Sequence, residues 1–159
     1  GHTISLSAMR PYHPDYSYID LPDSDADATL KYLLLCWPII APYERYKYVQ
    51  ETGNDRIIGL SEGYFGTTDA MKEGSPFQIL MRGEKSALPP TLIVQGTADT
   101  NLPVPVTERF AAAFQEAGGD IELELFPGMP HLFGNTAGPE SDRAVALMKK
   151  FAAKCLSQA

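Results

Sequence analysis

Cysteine is scarce in this 159-residue chain: Cys36 and Cys155 are the only two. That count excludes a disulfide framework and supplies none of the paired spacings of a structural zinc site. Both residues stand in apolar or helical runs and are expected to be buried thiols. Basic side chains are also in deficit, with 13 Lys and Arg against 20 Asp and Glu, a net charge of -7. Such a balance gives no broad footprint for nucleic acid or anionic lipid. Long hydrophobic runs are missing as well. A membrane span needs roughly 20 apolar residues, and the longest run, Tyr32 to Pro42, is interrupted at Pro38. Low-complexity tracts and internal repeats are absent, and 44% of the residues are hydrophobic, enough for the core of a single domain. The chain opens at Gly1 with neither Met nor a signal-like stretch. The expectation is that Gly1 is the edge of a longer precursor, with a cytoplasmic location favoured.

The pattern of apolar residues predicts an order of elements. Ile4, Leu6, Ala8 and Met9, closed by Pro11, predict a short helix without an N-terminal cap. Residues 11–29 hold three prolines and the aspartates Asp15, Asp20, Asp23, Asp25 and Asp27. They read as an irregular connection, and the aspartates lack the fixed Gly and final Glu of a calcium loop. Residues 30–37 form a nearly continuous apolar run, the pattern of a strand buried on both faces. Residues 43–88 are polar and aromatic, with short helices expected near 43–52, 68–73 and 76–83, and look like a lid-like helical excursion from a sheet. Its aromatic residues, with Met71 and Met81, either line a substrate pocket or pack the excursion onto the body. Thr91 to Gly96 is a second buried strand ended by glycine. Val106, Phe110, Ala113, Phe114 and Ala117 mark one helical face, stopped by Gly118 and Gly119. Ile121, Leu123 and Leu125 alternate as a third strand before the Pro127-Gly128 turn. A last helix carries Val145, Met148, Phe151, Ala152 and Cys155 on one stripe, with Ser141 expected as its N-cap. Strands alternating with amphipathic helices predict an α/β fold, a mostly parallel sheet flanked by helices. Three strands this apolar call for neighbours on both sides, so the sheet reads as truncated.

In open α/β sheets the reactive groups stand at the carboxyl ends of the strands. Asp99 follows the strand that ends at Gly96, and His131 follows the strand 121–126 through Pro127-Gly128-Met129-Pro130. Two consecutive strands thereby bring a carboxylate and an imidazole to one rim. A carboxylate there can fix the imidazole tautomer while the imidazole takes a proton from a nucleophile.

The segment Leu88-Pro89-Pro90-Thr91-Leu92-Ile93-Val94-Gln95-Gly96-Thr97-Ala98-Asp99, then Leu102-Pro103 and Phe126-Pro127-Gly128-Met129-Pro130-His131-Leu132-Phe133, resembles the C-terminal part of α/β-hydrolase-fold carboxylesterases of the hormone-sensitive-lipase-like kind. The resemblance implies that residues 1–159 are the C-terminal half of one α/β-hydrolase domain, with 43–88 as a cap-like insertion. It assigns Asp99 and His131 as the acid and base of a Ser–Asp–His triad. Gly1-His2 followed by a helix looks like the tail of the family's G-x-S-x-G-G-H element. The nucleophilic serine would then lie three residues ahead of Gly1, in an N-terminal fragment of the same precursor that also carries the oxyanion hole. The activity implied is hydrolysis of a small-molecule ester through an acyl-enzyme, with no cofactor and no metal. A non-catalytic ligand-binding module, or an amide or peptide hydrolase on the same fold, are the alternatives.

Gly59-Leu60-Ser61-Glu62-Gly63 is a literal G-x-S-x-G, and Ser61, Asp99 and His131 fall in α/β-hydrolase order. The motif has meaning only where a strand runs into a strained turn and then a helix. The run before Ser61 is polar, Gly66 follows closely, and too few residues separate Ser61 from Asp99 for the strands and helices required. Ser61 is therefore expected to cap a short helix over the site. His2 and His13 read as structural or surface residues, His2 being close to the elbow if the resemblance holds.

Overall fold

The computed structural model describes residues 1–13 and 29–157; the aspartates from Asp15 to Asp27 lie outside the described residues. Among the latter the order is α1 (His2–Met9), β1 (Leu33–Cys36), α2 (Pro42–Glu51), α3 (Asp55–Phe65), α4 (Thr68–Glu73), α5 (Pro76–Met81), β2 (Thr91–Gly96), α6 (Val104–Glu116), β3 (Ile121–Phe126) and α7 (Pro139–Ser157). The three strands form one parallel sheet in the order β1-β2-β3. In register, Leu35 faces Ile93 and Ile93 faces Leu123.

Every residue of β2 is buried, as befits the middle strand. Strand β1, expected to be buried on both faces, alternates buried and half-buried residues, and β3, expected to alternate, exposes Glu122. The reason is position, because among the described residues each has a neighbour on one side only. Side chains alternate across a strand, which divides the core in two. Leu33, Leu35, Ile93 and Ile121 pack against Ala8 of α1, Phe77 of α5, and Phe110 and Phe114 of α6. Leu34, Leu92, Val94 and Phe126 pack against Ala144, Phe151 and Cys155 of α7.

Local chemistry explains most helix ends. Helix α6 ends before Gly118, whose φ of 91° needs glycine, and Gly119, where a Cβ would meet the Phe114 ring at 2.2 Å. Ser141 is not the cap of α7; it sits inside the first turn and its hydroxyl donates to the Gly138 carbonyl at 2.8 Å. The α7 stripe is rotated from the expected one, with Ala144 buried and Val145 44% exposed.

Residues 42–81 are more helical than expected, since α3 takes in part of the polar run before Ser61 as well as Ser61 itself. Two internal glycines, Gly59 and Gly63, hide it. It is held by the Asn54 side chain, which accepts from the Ile57 amide at 3.2 Å, and it stops at Gly66 with φ of 71°. Buried Arg10 ties this region to α1 through Glu73 and Glu84, each at 2.6 Å. The same guanidinium holds the Glu84 carboxyl below its ordinary range.

Candidate active site

Strand β2 ends at Gly96 because nothing larger fits: a Cβ there would lie 2.0 Å from the Met129 carbonyl oxygen. This close approach lets two loops be stitched together. The amide of Thr97 donates to Phe126 O at 2.9 Å, that of Ala98 to Met129 O at 3.0 Å, and that of Gly128 to Thr97 Oγ1 at 2.8 Å. The Asp99 side chain is fully buried in the first loop and His131, 19% exposed, stands in the second. Asp99 Oδ1 accepts from the amides of Asn101 (2.8 Å) and Leu102 (3.3 Å), a turn that aims Oδ2 outward. Oδ2 lies 2.8 Å from His131 Nδ1. An ionised carboxylate only accepts, so Nδ1 is the donor of this bond, and in the neutral imidazole Nε2 then keeps its lone pair. Among the described residues Nε2 has no hydrogen-bond partner. The structure thus brings together the two residues singled out in the sequence, in a geometry able to take and return one proton.

The surrounding backbone is strained. Leu132, directly after His131, has φ of 63°, and Trp37, directly after β1, has φ of 39°. Neither is glycine, and such conformations persist only where neighbours enforce them. The Trp37 amide donates to Val94 O at 2.7 Å, and its ring lies edge-on to Phe133 with centroids 5.2 Å apart. Gly134 makes room for that ring, since a Cβ would meet it at 2.6 Å. All three strand ends therefore meet around the His131 loop. Trp37 and Leu132 were invisible as site residues in sequence; the D-x-N spacing of Asp99 and Asn101 was a readable turn signal.

Beside this rim lies a cavity of about 320 Å³ with apolar walls from Ile39, Pro42, Leu60, Tyr64 and Phe65. His2, Ser61 and Arg45 complete its lining. The His2 ring sits edge-on to Tyr64 and Phe65, and Nε2 donates to the Gly74 carbonyl. Burial pushes its imidazole below the ordinary value. Ser61 is neither an elbow nor a cap. It lies in the interior of α3, buried, with Oγ donating back to Ile57 O at 2.8 Å, and no strand leads into it. Of the excursion's other candidates, Met71 is buried away from this cavity and Met81 is exposed. Among the described residues no group of three or more His, Cys, Asp or Glu side chains could hold a metal ion, and no helix is long and apolar enough to cross a membrane.

No curated protein sequence matches the chain. Solved structures do. Est2, a thermophilic esterase of the planctomycete Thermogutta terrifontis, superposes in its propionate-bound form with a TM-score of 0.65 at 23% identity, covering 96% of this chain and 52% of that one. The same esterase phosphoramylated by tabun gives 0.67 at 23%, covering 96% and 50%. Its native form gives 0.65 at 22%, covering 96% and 51%. The chain spans about half the length of these structures, and at this identity the likeness is one of fold: the parallel sheet between helices is part of an α/β-hydrolase fold. A sequence profile described as the prolyl oligopeptidase family matches residues 57–159, which include β2, β3 and both loops of the Asp99–His131 pair. That match covers more than half of the sequence, and the chain belongs to the prolyl oligopeptidase family.

Proposed function

We propose that this chain is the acid–base half of a serine hydrolase that cleaves carboxylic esters through an acyl-enzyme. The observation that carries the reading is the Asp99–His131 pair: a buried carboxylate held by two backbone amides, bonded to Nδ1 of an imidazole with Nε2 unengaged. In the proposed reaction a serine hydroxyl gives its proton to His131 Nε2 as its oxygen bonds to the ester carbonyl carbon. Asp99 keeps Nδ1–H oriented and stabilises the imidazolium. His131 then protonates the departing alkoxide as the carbon–oxygen bond breaks. A water molecule repeats the sequence, releasing the carboxylic acid and restoring the serine.

The serine and the oxyanion donors are assigned to a segment preceding Gly1, in the same polypeptide or in an N-terminal fragment that associates with it. Two features support this placement. A Cβ at Gly1 would lie 2.6 Å from Pro38 Cβ, so α1 starts against the segment leaving β1, at the rim where the strands end. The outer edge of β1 is also unpaired among the described residues, and a buried strand edge needs a partner for its amides and carbonyls. Helices α2 to α5 would then serve as a cap beside the reacting centre.

Peptide bonds are the second substrate class, favoured by the description of the family; the superposed structures are described as esterases. Labelling the protein with a fluorophosphonate and locating the adduct by mass spectrometry tests the reaction class. Rates on matched ester and amide substrates then separate the two bonds. A label on a serine just ahead of Gly1 is expected; no label on any serine would turn the reading to a ligand-binding module.

A further inference from the structure

The cavity beside the Asp99–His131 rim contains one charged group, and that group is poorly satisfied. Its walls are largely apolar, and the polar groups of Ser61 and His2 are committed: the Ser61 hydroxyl to Ile57 O and His2 Nε2 to Gly74 O. Arg45 projects from α2 into the lining. Its Nη2 makes one long hydrogen bond, 3.3 Å, to the neutral Asn101 Oδ1. Its Nε is buried without a partner, and among the described residues Nη1 has none and no carboxylate pairs with the guanidinium. Asp99 is the acidic group whose field reaches it, yet both Asp99 oxygens are taken, by His131 and by the amides of Asn101 and Leu102. Burial also works against the Arg45 charge, pushing its pKa down.

A guanidinium has five donors in a planar fork that matches a carboxylate, and a partly buried one gains most from such a partner. The donors left for such a partner are those of Nη1 and Nη2, since Nε itself is buried. The position is equally telling: Asn101, which Arg45 touches, is the residue whose amide holds Asp99. A group bound on Arg45 therefore lies beside the loop that carries Asp99. We infer that Arg45 selects substrates bearing a carboxylate on the short chain lodged in this cavity, either on the acid part of an ester or as the free C-terminus of a peptide. The inference rests on the hydrolase reading for its meaning as specificity. As an anion site it stands on the cavity alone.

The test uses the full protein, this chain with the serine-bearing segment. Turnover of monomethyl adipate is compared with that of its uncharged terminal amide, and binding of adipate with that of adipamide by calorimetry. The wild type is expected to favour the charged member of each pair. Arg45→Gln should lower the kcat/KM ratio of charged to neutral ester by about ten- to a hundredfold, the loss typical of a hydrogen-bonded charge pair. Arg45→Lys should keep part of the preference. Equal ratios in wild type and Arg45→Gln, with adipate and adipamide bound alike, overturn the inference. If Arg45→Gln fails to fold, the wild-type preference and its partial retention in Arg45→Lys decide. Absence of turnover on both esters, with no serine labelled, defeats the hydrolase reading instead, and the adipate titration still decides the role of Arg45. A peptide with a free C-terminus, compared with its amidated form, separates the two sources of carboxylate.

Discussion

Replacing Gly96 by Ala puts the joint between the two site loops to the test. The added Cβ would lie 2.0 Å from Met129 O and 2.6 Å from its carbonyl carbon. Non-bonded heavy atoms settle at roughly 3.5 Å, so the Met129 carbonyl must retreat by more than about 1 Å. That carbonyl accepts from Ala98 N at 3.0 Å, a bond that such a shift breaks. Overpacking of this kind costs about 1–3 kcal/mol and the lost hydrogen bond about 1 kcal/mol. Together the destabilisation is about 2–4 kcal/mol, a drop in Tm of roughly 5–15 °C for a domain of this size. His131 stands two residues beyond Met129, so its 2.8 Å bond to Asp99 opens with the loop. Catalytic geometry displaced by 1 Å loses about a hundredfold in rate. Urea denaturation gives the stability change, and the downfield resonance of the His131 Nδ1 proton reports the bond to Asp99. A Gly96→Ala protein within about 0.5 kcal/mol of wild type, with that resonance unmoved, would refute the argument that glycine is required for the loops to meet.

Three further outcomes follow from the same geometry. Asp99→Asn keeps the shape but presents an amide to Nδ1 and favours the wrong tautomer, so kcat should fall on the order of ten-thousandfold, measured by steady-state kinetics on an ester; a fall of less than tenfold contradicts the proposed role. Ser61→Ala removes a hydroxyl that only returns to its own helix, so fluorophosphonate labelling should persist and stability should change by less than about 1 kcal/mol; loss of the label would restore the elbow reading. His2 is held neutral by burial, with its pKa below the ordinary 6.5. The unfolded chain takes up that proton first as pH falls, so the stability contributed by neutral His2 is present above 6.5 and is lost as pH drops from there through the lowered value. A His2→Gln variant should flatten that part of a stability-against-pH curve from denaturant melts, and an unchanged slope argues against it.

How much was legible in the sequence depends on the range of the forces involved. The strands 91–96 and 121–126 and helix α6 are written in periodicity, because a buried strand or an amphipathic helix declares itself through residues a few positions apart. The Asp99–His131 pair was legible for the same reason: once the strands are located, the rule that parallel strands deliver reactive groups at their carboxyl ends places both residues on one rim. Helix α3 was not legible, since its stability comes from a side-chain cap and from packing on α2 rather than from helix-forming residues. The G-x-S-x-G letters around Ser61 could be set aside in sequence, because a motif acquires chemistry only from the strand and turn that carry it, but that Ser61 lies inside α3 and not at its cap was not legible. The strain at Trp37 and Leu132, the absence of room at Gly96 and the placing of Arg45 against Asn101 were decided by tertiary structure alone. Each depends on atoms brought together from distant parts of the chain, and packing of that kind leaves no periodic trace in the order of the residues.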